Sequence, residues 1–235
     1  MFLVHLHLVM WASSLRVVTN LFLQPLCPLC NRPASQDFCH DCWRQLQTCA
    51  EHRPAFPTSN ALLVLSWGLY QRHLKQAITA LKYDGNRQLA RPLGIALGQL
   101  WQQFPIPAQR PPLAVPIPLH SDKLRKRGFN QAALLAEAFC QQTGLPLVTQ
   151  GLLRQRATAP QFGLTANDRQ KNLTGAFAIG PAFENRYPQA PVLLIDDIYT
   201  TGTTVRTAAA VLRRHRISVC GVATIARATL DCKRT

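Results

Sequence analysis

The run Val192-Leu-Leu-Ile-Asp-Asp-Ile-Tyr-Thr-Thr-Gly-Thr-Thr204 narrows the folds open to this chain more than any other stretch. Residues 192–195 are continuously apolar and β-prone, with Pro188 and Pro191 upstream. That pattern suits a central parallel strand covered on both faces. Asp196 and Asp197 are expected where the strand ends. Ligand crevices of open α/β sheets lie at the carboxyl ends of strands, so the two acids are expected to face a binding site. Thr200, Thr201, Gly202, Thr203 and Thr204 then lead into residues 205–214, whose Ala and Leu content favours helix. Backbone N–H groups and the helix dipole converge at such a start and suit a phosphate; Gly202 allows close backbone approach and the threonines add hydroxyl donors. Carboxylates only accept hydrogen bonds and bind hard cations, so Asp196 and Asp197 suit sugar hydroxyls or a hydrated Mg²⁺. The bland alternative is a capped helix after a plain strand, with a solvated acid pair.

These residues resemble the ribose-phosphate loop of type I phosphoribosyltransferases, in which apolar residues, two acids and Thr-Thr-Gly-x-Thr hold phosphoribosyl pyrophosphate (PRPP). The resemblance implies an α/β fold, a type I phosphoribosyltransferase-like parallel sheet flanked by helices.

Two C-x-x-C pairs, Cys27/Cys30 and Cys39/Cys42, precede this domain. Each pair presents two thiolates from a tight turn, and four such sulfurs complete a tetrahedral Zn²⁺ site with no open position. The expected result is a small N-terminal four-cysteine zinc module with a structural role. Unpaired buried thiols or a redox pair are the alternative; His40, Cys49 and His52 rank below the four cysteines as ligands because they fall outside the regular pairs. Paired C-x-x-C motifs also favour metal in a reducing compartment over disulfides.

Length and charge bound the rest. The 235 residues suffice for one α/β domain with an appendage, and a hydrophobic content of 47% is ample for its core. The formal net charge of +15 points to nucleic acid, phosphorylated ligands or an anionic surface, with solvated surface as the bland alternative. No apolar run reaches the roughly 18 residues of a membrane-spanning helix, and the first ten residues lack the basic start of a secretory signal. A soluble, cytoplasmic protein is expected. The predicted organisation is an N-terminal helix in 1–26, the zinc module in 27–53, and the phosphoribosyltransferase-like domain in 60–235. Because residues 1–9 add nothing to the helical pattern, translation is expected to start at Met10.

Within the main domain, strands are expected at 62–67, 113–119, 145–153, 175–179 and 217–225. Amphipathic stripes at Leu74, Ala77, Ile78 and Leu81, and at Leu89, Leu93, Leu97 and Leu100, predict two helices. Lys82, Tyr83 and Gly85 either line the site or simply end one helix and start the next. Residues 123–127 form the densest basic cluster, expected as a loop between a strand end and the helix at 132–142. Thr165 to Asp168 fits a capping box.

The ensemble is similar to the ComF/GntX family. The shared features are the C-x-x-C pairs, Leu81-Lys-Tyr-Asp-Gly85, Pro116-Ile-Pro-Leu-His120, Arg127-Gly-Phe-Asn-Gln131, Leu153-Arg154 with Thr158 and Gln161, Arg169-Gln-Lys-Asn172 and the acid-threonine loop. That family is described as phosphoribosyltransferase-like proteins of competence and DNA utilisation. The resemblance implies PRPP binding at Asp196, Asp197, Thr200, Thr201, Gly202, Thr203 and Thr204, and a pyrophosphate-side loop near residues 116–120. Two functional classes follow. One is a competence protein that retains a PRPP site and binds single-stranded DNA, with Lys123, Arg125 and Lys126 on phosphates and Phe129 or Trp43 stacking bases. It would work beside the DNA-uptake machinery. The other is an Mg²⁺-dependent transferase of unknown acceptor. There Asp196 and Asp197 hold the ribose, while Arg127, Arg169 and Lys171 neutralise pyrophosphate.

Overall fold

The computed structural model describes residues 25–35, 37–51, 62–156, 175–184 and 187–228. In chain order the first elements are α1 (His40–Gln47), β1 (Leu63–Leu69), α2 (Arg72–Tyr83), α3 (Ala90–Gln103), β2 (Leu113–Pro116), α4 (Ser121–Arg127) and α5 (Gln131–Thr143). There follow β3 (Leu152–Arg154), β4 (Phe177–Ile179), α6 (Pro181–Glu184), β5 (Val192–Tyr199), α7 (Thr203–Arg214) and β6 (Val219–Arg227). A four-stranded sheet of order β1-β6-β5-β2 is parallel throughout, and β3 pairs antiparallel with β4 in a separate two-stranded sheet. This is the parallel, helix-flanked α/β fold that the sequence implies.

Strand alternation divides the core between two layers. Leu193 and Ile195 of β5 pack with α2, α3 and α5, whereas Val192 and Leu194 pack with α7 and the β3–β4 sheet. The two expected helical stripes are the buried faces of α2 and of α3 with the short 3₁₀ turn before it.

Three local expectations change. The strand at 192–195 continues to Tyr199, because Ile198 and Tyr199 still pair with Ala226 and Arg227 of β6; the acids therefore lie inside the strand and not at its end. The stretch 145–153 is strand only from Leu152; before it, Leu147 makes one isolated bridge to Ala114, where Pro146 has no N–H to extend the ladder. The basic run 123–127 is the helix α4 instead of a loop. Its Lys, Leu and Arg are good helix formers, the His120 side chain accepts the Asp122 N–H at its start, and Gly128 ends it in the left-handed conformation.

The cysteine-rich segment is fused to the sheet. Ala50 bridges Gly68, the Leu69 N–H donates to Cys49 O and the Glu51 N–H to Trp67 O, each at 2.9 Å. A Cβ at residue 68 would stand 2.5 Å from Cys49 O, so glycine is what lets the segment lie against β1. Phe38, Leu46 and Cys49 share one core with Leu74 and Leu97. Polar ties join the same parts: Asn86 Nδ2 donates to Pro28 O at 2.6 Å, and Arg91 Nη1 pairs with both Asp37 oxygens at 2.6 and 2.7 Å.

Among the described residues, no helix is long and apolar enough to cross a membrane. The expected N-terminal helix, the Met10 start and the capping box lie outside the described residues.

Candidate functional site

The strand pleat turns Asp196 and Asp197 to opposite faces of β5. Asp197 meets Lys82 from the last turn of α2: Nζ lies 2.9 Å from Oδ1, with the two side chains only 17% and 5% exposed. Asp196 Oδ1 accepts the Asp197 backbone N–H at 2.8 Å. Asp197 Oδ2 is buried and has no hydrogen-bond partner among the described residues. Leaving a buried carboxylate oxygen without a donor is costly, so a ligand hydroxyl or a hydrated cation is its chemical complement. The donor set thus fits a hydrated Mg²⁺.

Electrostatics separate the two acids. Burial first, and then the charge of Asp197, push the Asp196 carboxyl up to about 7, while Lys82, the Asp197 N–H and Arg154 pull the other way. Burial alone would lower the Lys82 ammonium, yet Asp197 beside it, with Asp196 and Tyr70, holds it above its ordinary value. A pH dependence follows for the ligand-free protein. The folded state binds a proton at Asp196 more tightly than an unfolded carboxyl near 3.8 does. That contribution to stability is fully present below the unfolded value and is lost as pH rises through about 7. Thermal melts should therefore show a component that weakens from pH 5 to 8 and is absent in Asp196→Asn. An identical pH profile in the variant would contradict the shift.

Past the acids, β5 runs into a hydroxyl-rich turn. Thr200 and Thr201 form the turn, Gly202 caps α7 at φ +71°, and Thr203 and Thr204 begin the helix. A side chain at 202 would be strained at that φ, and its Cβ would collide with the Tyr199 ring. Thr201 Oγ1 and Thr203 Oγ1 are hydrogen-bonded at 2.9 Å. The first turn of α7 follows β5 after three residues, and its leading N–H groups have no partner within the helix, an arrangement suited to phosphate.

Cations gather on the other side. Arg127 ends α4, with its guanidinium 5.6 Å over the Tyr83 ring and hydrogen-bonded to Gln131 Oε1. Lys123 is exposed overall, but its ammonium is lowered by partial desolvation and then by Arg154, Arg127 and Lys82. Burial lowers Arg154 too, opposed by Asp196. Four cations thus feel one another around two carboxylates, and an anionic ligand would relieve that repulsion. The sequence leaves Lys82 open between the site and a helix end, and carries Arg154 only within the family pattern. The signal for Lys82 is its place in Leu81-Lys-Tyr-Asp-Gly85, one step beyond the apolar stripe of α2; nothing local marks Arg154 as a neighbour of the acids. Arg169 and Lys171 lie outside the described residues.

One expectation for nucleic acid is corrected. Phe129 is 6% exposed, with the Arg87 guanidinium 4.7 Å over its ring, because it packs into the core after Gly128; it offers no face to a base. Trp43 is likewise stacked between Phe38 and Trp67, at 5.9 and 6.1 Å. Lys123, Arg125 and Lys126 are exposed on α4, where Arg125 pairs with Asp122.

The sulfur atoms of Cys27, Cys30, Cys39 and Cys42 all lie within 4.8 Å of one another. A tetrahedral ion with 2.3 Å metal–sulfur bonds would hold them about 3.8 Å apart, so the four fit such an ion with little movement. The first knuckle is closed by Asn31 N–H donating to Cys27 O at 2.8 Å, and Cys39 caps α1 while Cys42 rides its first turn. Arg32, donating to the Cys30 sulfur at 3.4 Å, brings that thiol down to about 6, favouring the thiolate that ligates metal.

The chain is similar to proteins named for competence and for DNA utilisation. It is 29% identical over 212 residues to Competence protein F of Haemophilus influenzae, covering 86% of this chain and 90% of that protein. To DNA utilization protein YhgH of Escherichia coli it is 28% identical over 200 residues, covering 81% and 78%. To Competence protein ComFC of Bacillus subtilis it is 27% identical over 203 residues, covering 84% and 73%. No family model matches the chain. A solved structure of the allosteric regulatory enzyme of purine biosynthesis aligns at a TM-score of 0.35 and 17% identity, over 59% of this chain and 26% of that one, too slight a likeness to bear on fold or function.

Proposed function

We propose that this chain, which belongs to the ComF family, is a phosphoribosyltransferase-like protein of DNA uptake or utilisation that keeps a PRPP site and binds single-stranded DNA. The observation that carries the PRPP reading is the buried Asp196–Asp197 pair on the strand leading into the Gly202-capped start of α7. In this reading Asp196 and Asp197 accept the ribose hydroxyls. Thr200, Thr201, Gly202, Thr203 and Thr204 hold the 5′-phosphate through backbone N–H and hydroxyl groups. Arg127 stands on the pyrophosphate side, and Arg169 and Lys171 are assigned there from sequence.

The relatives' names support the involvement with DNA, and the net charge of +15 is consistent with it. Lys123, Arg125 and Lys126 are the candidate phosphate contacts. The GntX branch, zinc as the ion of the four cysteines, and the cytoplasm as the compartment belong to the same proposal; a reducing compartment would keep the thiolates available.

The four cations around the acids favour a second reading, an active transferase. Mg²⁺ bound with PRPP would neutralise its phosphates. The chain's own part would be to position the ribose through Asp196 and Asp197 and to stabilise departing pyrophosphate through Arg127 and its neighbours, around an oxocarbenium-like centre. No side chain is required as a nucleophile.

The DNA arm has a direct test. Each phosphate neutralised on a single strand contributes about −0.7 to the slope of log affinity against log salt. Replacing Lys123, Arg125 and Lys126 by Ala should therefore flatten that slope by about two units. An unchanged slope would remove these residues from the DNA contact and favour the transferase reading.

A further inference from the structure

A groove of about 1000 Å³ runs between the four-cysteine module and α2, away from the acid pair. Asn31 and Gln45 line it from the module, and Arg72, Lys75, Gln76 and Thr79 line it from the helix. Asp84 is its one acidic lining residue, at the C-terminal end of α2. The lining is therefore cationic at one end, with the Cys30 and Cys42 sulfurs on the module side, and it carries four side-chain amides and the Thr79 hydroxyl, groups that donate and accept as base edges do.

The stripe continues past the groove. Residues 72, 76, 79 and 83 follow the 3.6-residue repeat, so Arg72, Gln76, Thr79 and Tyr83 share one face over about 16 Å of helix. Tyr83 is 74% exposed, an unusual position for a large aromatic ring, and the Arg127 guanidinium lies 5.6 Å over it. Its neighbour Lys82 is the residue paired with Asp197. The face thus leads from the groove to the edge of the acid site. Two further features mark the groove. Asn31 at φ +57° and Arg72 at φ +44° both line it in the left-handed region, which a bulky residue such as arginine rarely adopts without a local reason. His73 Nδ1 is buried on the same lining, with no hydrogen-bond partner among the described residues.

We infer that this groove is a track for single-stranded nucleic acid, with phosphates on Arg72 and Lys75 and a terminal base stacked on Tyr83 beside the ribose-phosphate loop. It rests on the DNA-binding reading above but lays the strand along α2, not on α4 alone. It also supplies the stacking platform that the burial of Phe129 denies. An acidic peptide would use the two cations, but it would gain little from a flat aromatic ring at the end of the groove. Base stacking on such a ring is worth about 1–3 kcal/mol by truncation and tolerates every base.

The test uses the full chain and a fluorescein-labelled oligo-dT, followed by anisotropy across a salt series. Arg72→Gln with Lys75→Gln should flatten the salt slope by about 1.4, the sum of two single-strand contacts. Tyr83→Leu should weaken binding roughly 5- to 150-fold, and Tyr83→Phe should restore it. All three positions lie on the exposed face of α2, so metal content and melting temperature should match the parent. Polyglutamate of matched charge should fail to displace the oligonucleotide. Groove variants that bind like a dT-binding parent, while the α4 triple variant loses its slope, would overturn the track and leave the DNA reading standing. A parent that binds no dT would overturn both. Equal competition by polyglutamate would make the groove an acidic-peptide site and overturn the nucleic-acid assignment.

Discussion

Cys27→Ser or Cys42→Ser should remove close to one zinc per chain and unfold the segment from residue 27 to 51. Both residues are buried, Cys27 fully, so little solvent is at hand to take over a lost ligand. The segment holds a single helix of eight residues, too short to persist without tertiary support. Metal binding would supply that support: in isolated zinc-finger peptides it is worth about 10–16 kcal/mol, and it is folding free energy because the site does not exist in the unfolded chain. Here part of the loss would be offset by docking through Phe38, Leu46 and the Arg91–Asp37 pair, so the central sheet should survive while the module opens. Metal analysis, thiol titration and limited proteolysis would check this together. A parent with no bound zinc and four freely titratable thiols would refute it.

Asp196→Asn combined with Asp197→Asn should abolish measurable Mg-PRPP binding. Asn keeps the shape, and its Oδ1 can still accept a hydrogen bond from Lys82, so the strand need not collapse. What disappears is the negative charge that the sugar hydroxyls and hydrated Mg²⁺ would meet. A hydrogen bond to a charged group contributes about 1.5–3 kcal/mol, so losing two corresponds to an affinity drop of roughly 10²- to 10⁴-fold. Circular dichroism and metal content should be unchanged. Parent-like PRPP binding by this variant would show that the acids are not the ribose contact.

How far the sequence reached depends on the range of the forces involved. The helical stripes of α2 and α3, the parallel class of the sheet and the Gly202-capped start of α7 follow from periodicity and local backbone preference, which one stretch of chain carries by itself. The length of β5 does not: Ile198 and Tyr199 become strand because β6 continues alongside them. Nor does the state of residues 123–127, where a basic run between a strand end and a helix start suggests an anion-binding loop, but His120 and Gly128 close it into a helix. The site divides in the same way. Asp196, Asp197 and the threonines are contiguous and could be read together. Lys82 reaches Asp197 from a distant part of the chain, and Arg154 enters from the small second sheet; only folding brings such cations to the acids. Phe129 misled because an aromatic beside a basic run looks like a stacking platform, whereas its ring packs into the core with residues from distant parts of the chain. Tyr83, outside any basic run, is 74% exposed.

The central claim is that a ribose-phosphate ligand sits between the acid pair and the start of α7. Calorimetric titration of Mg-PRPP into the full chain at pH 7, repeated in two buffers of different ionisation enthalpy, tests it most directly. One saturable site per chain is expected, with net proton release, because burial and Asp197 hold the Asp196 carboxyl up and a hydrated Mg²⁺ or sugar hydroxyls favour its ionised form. Saturable binding with no proton release would move the ligand away from Asp196, and the absence of binding would contradict the claim outright.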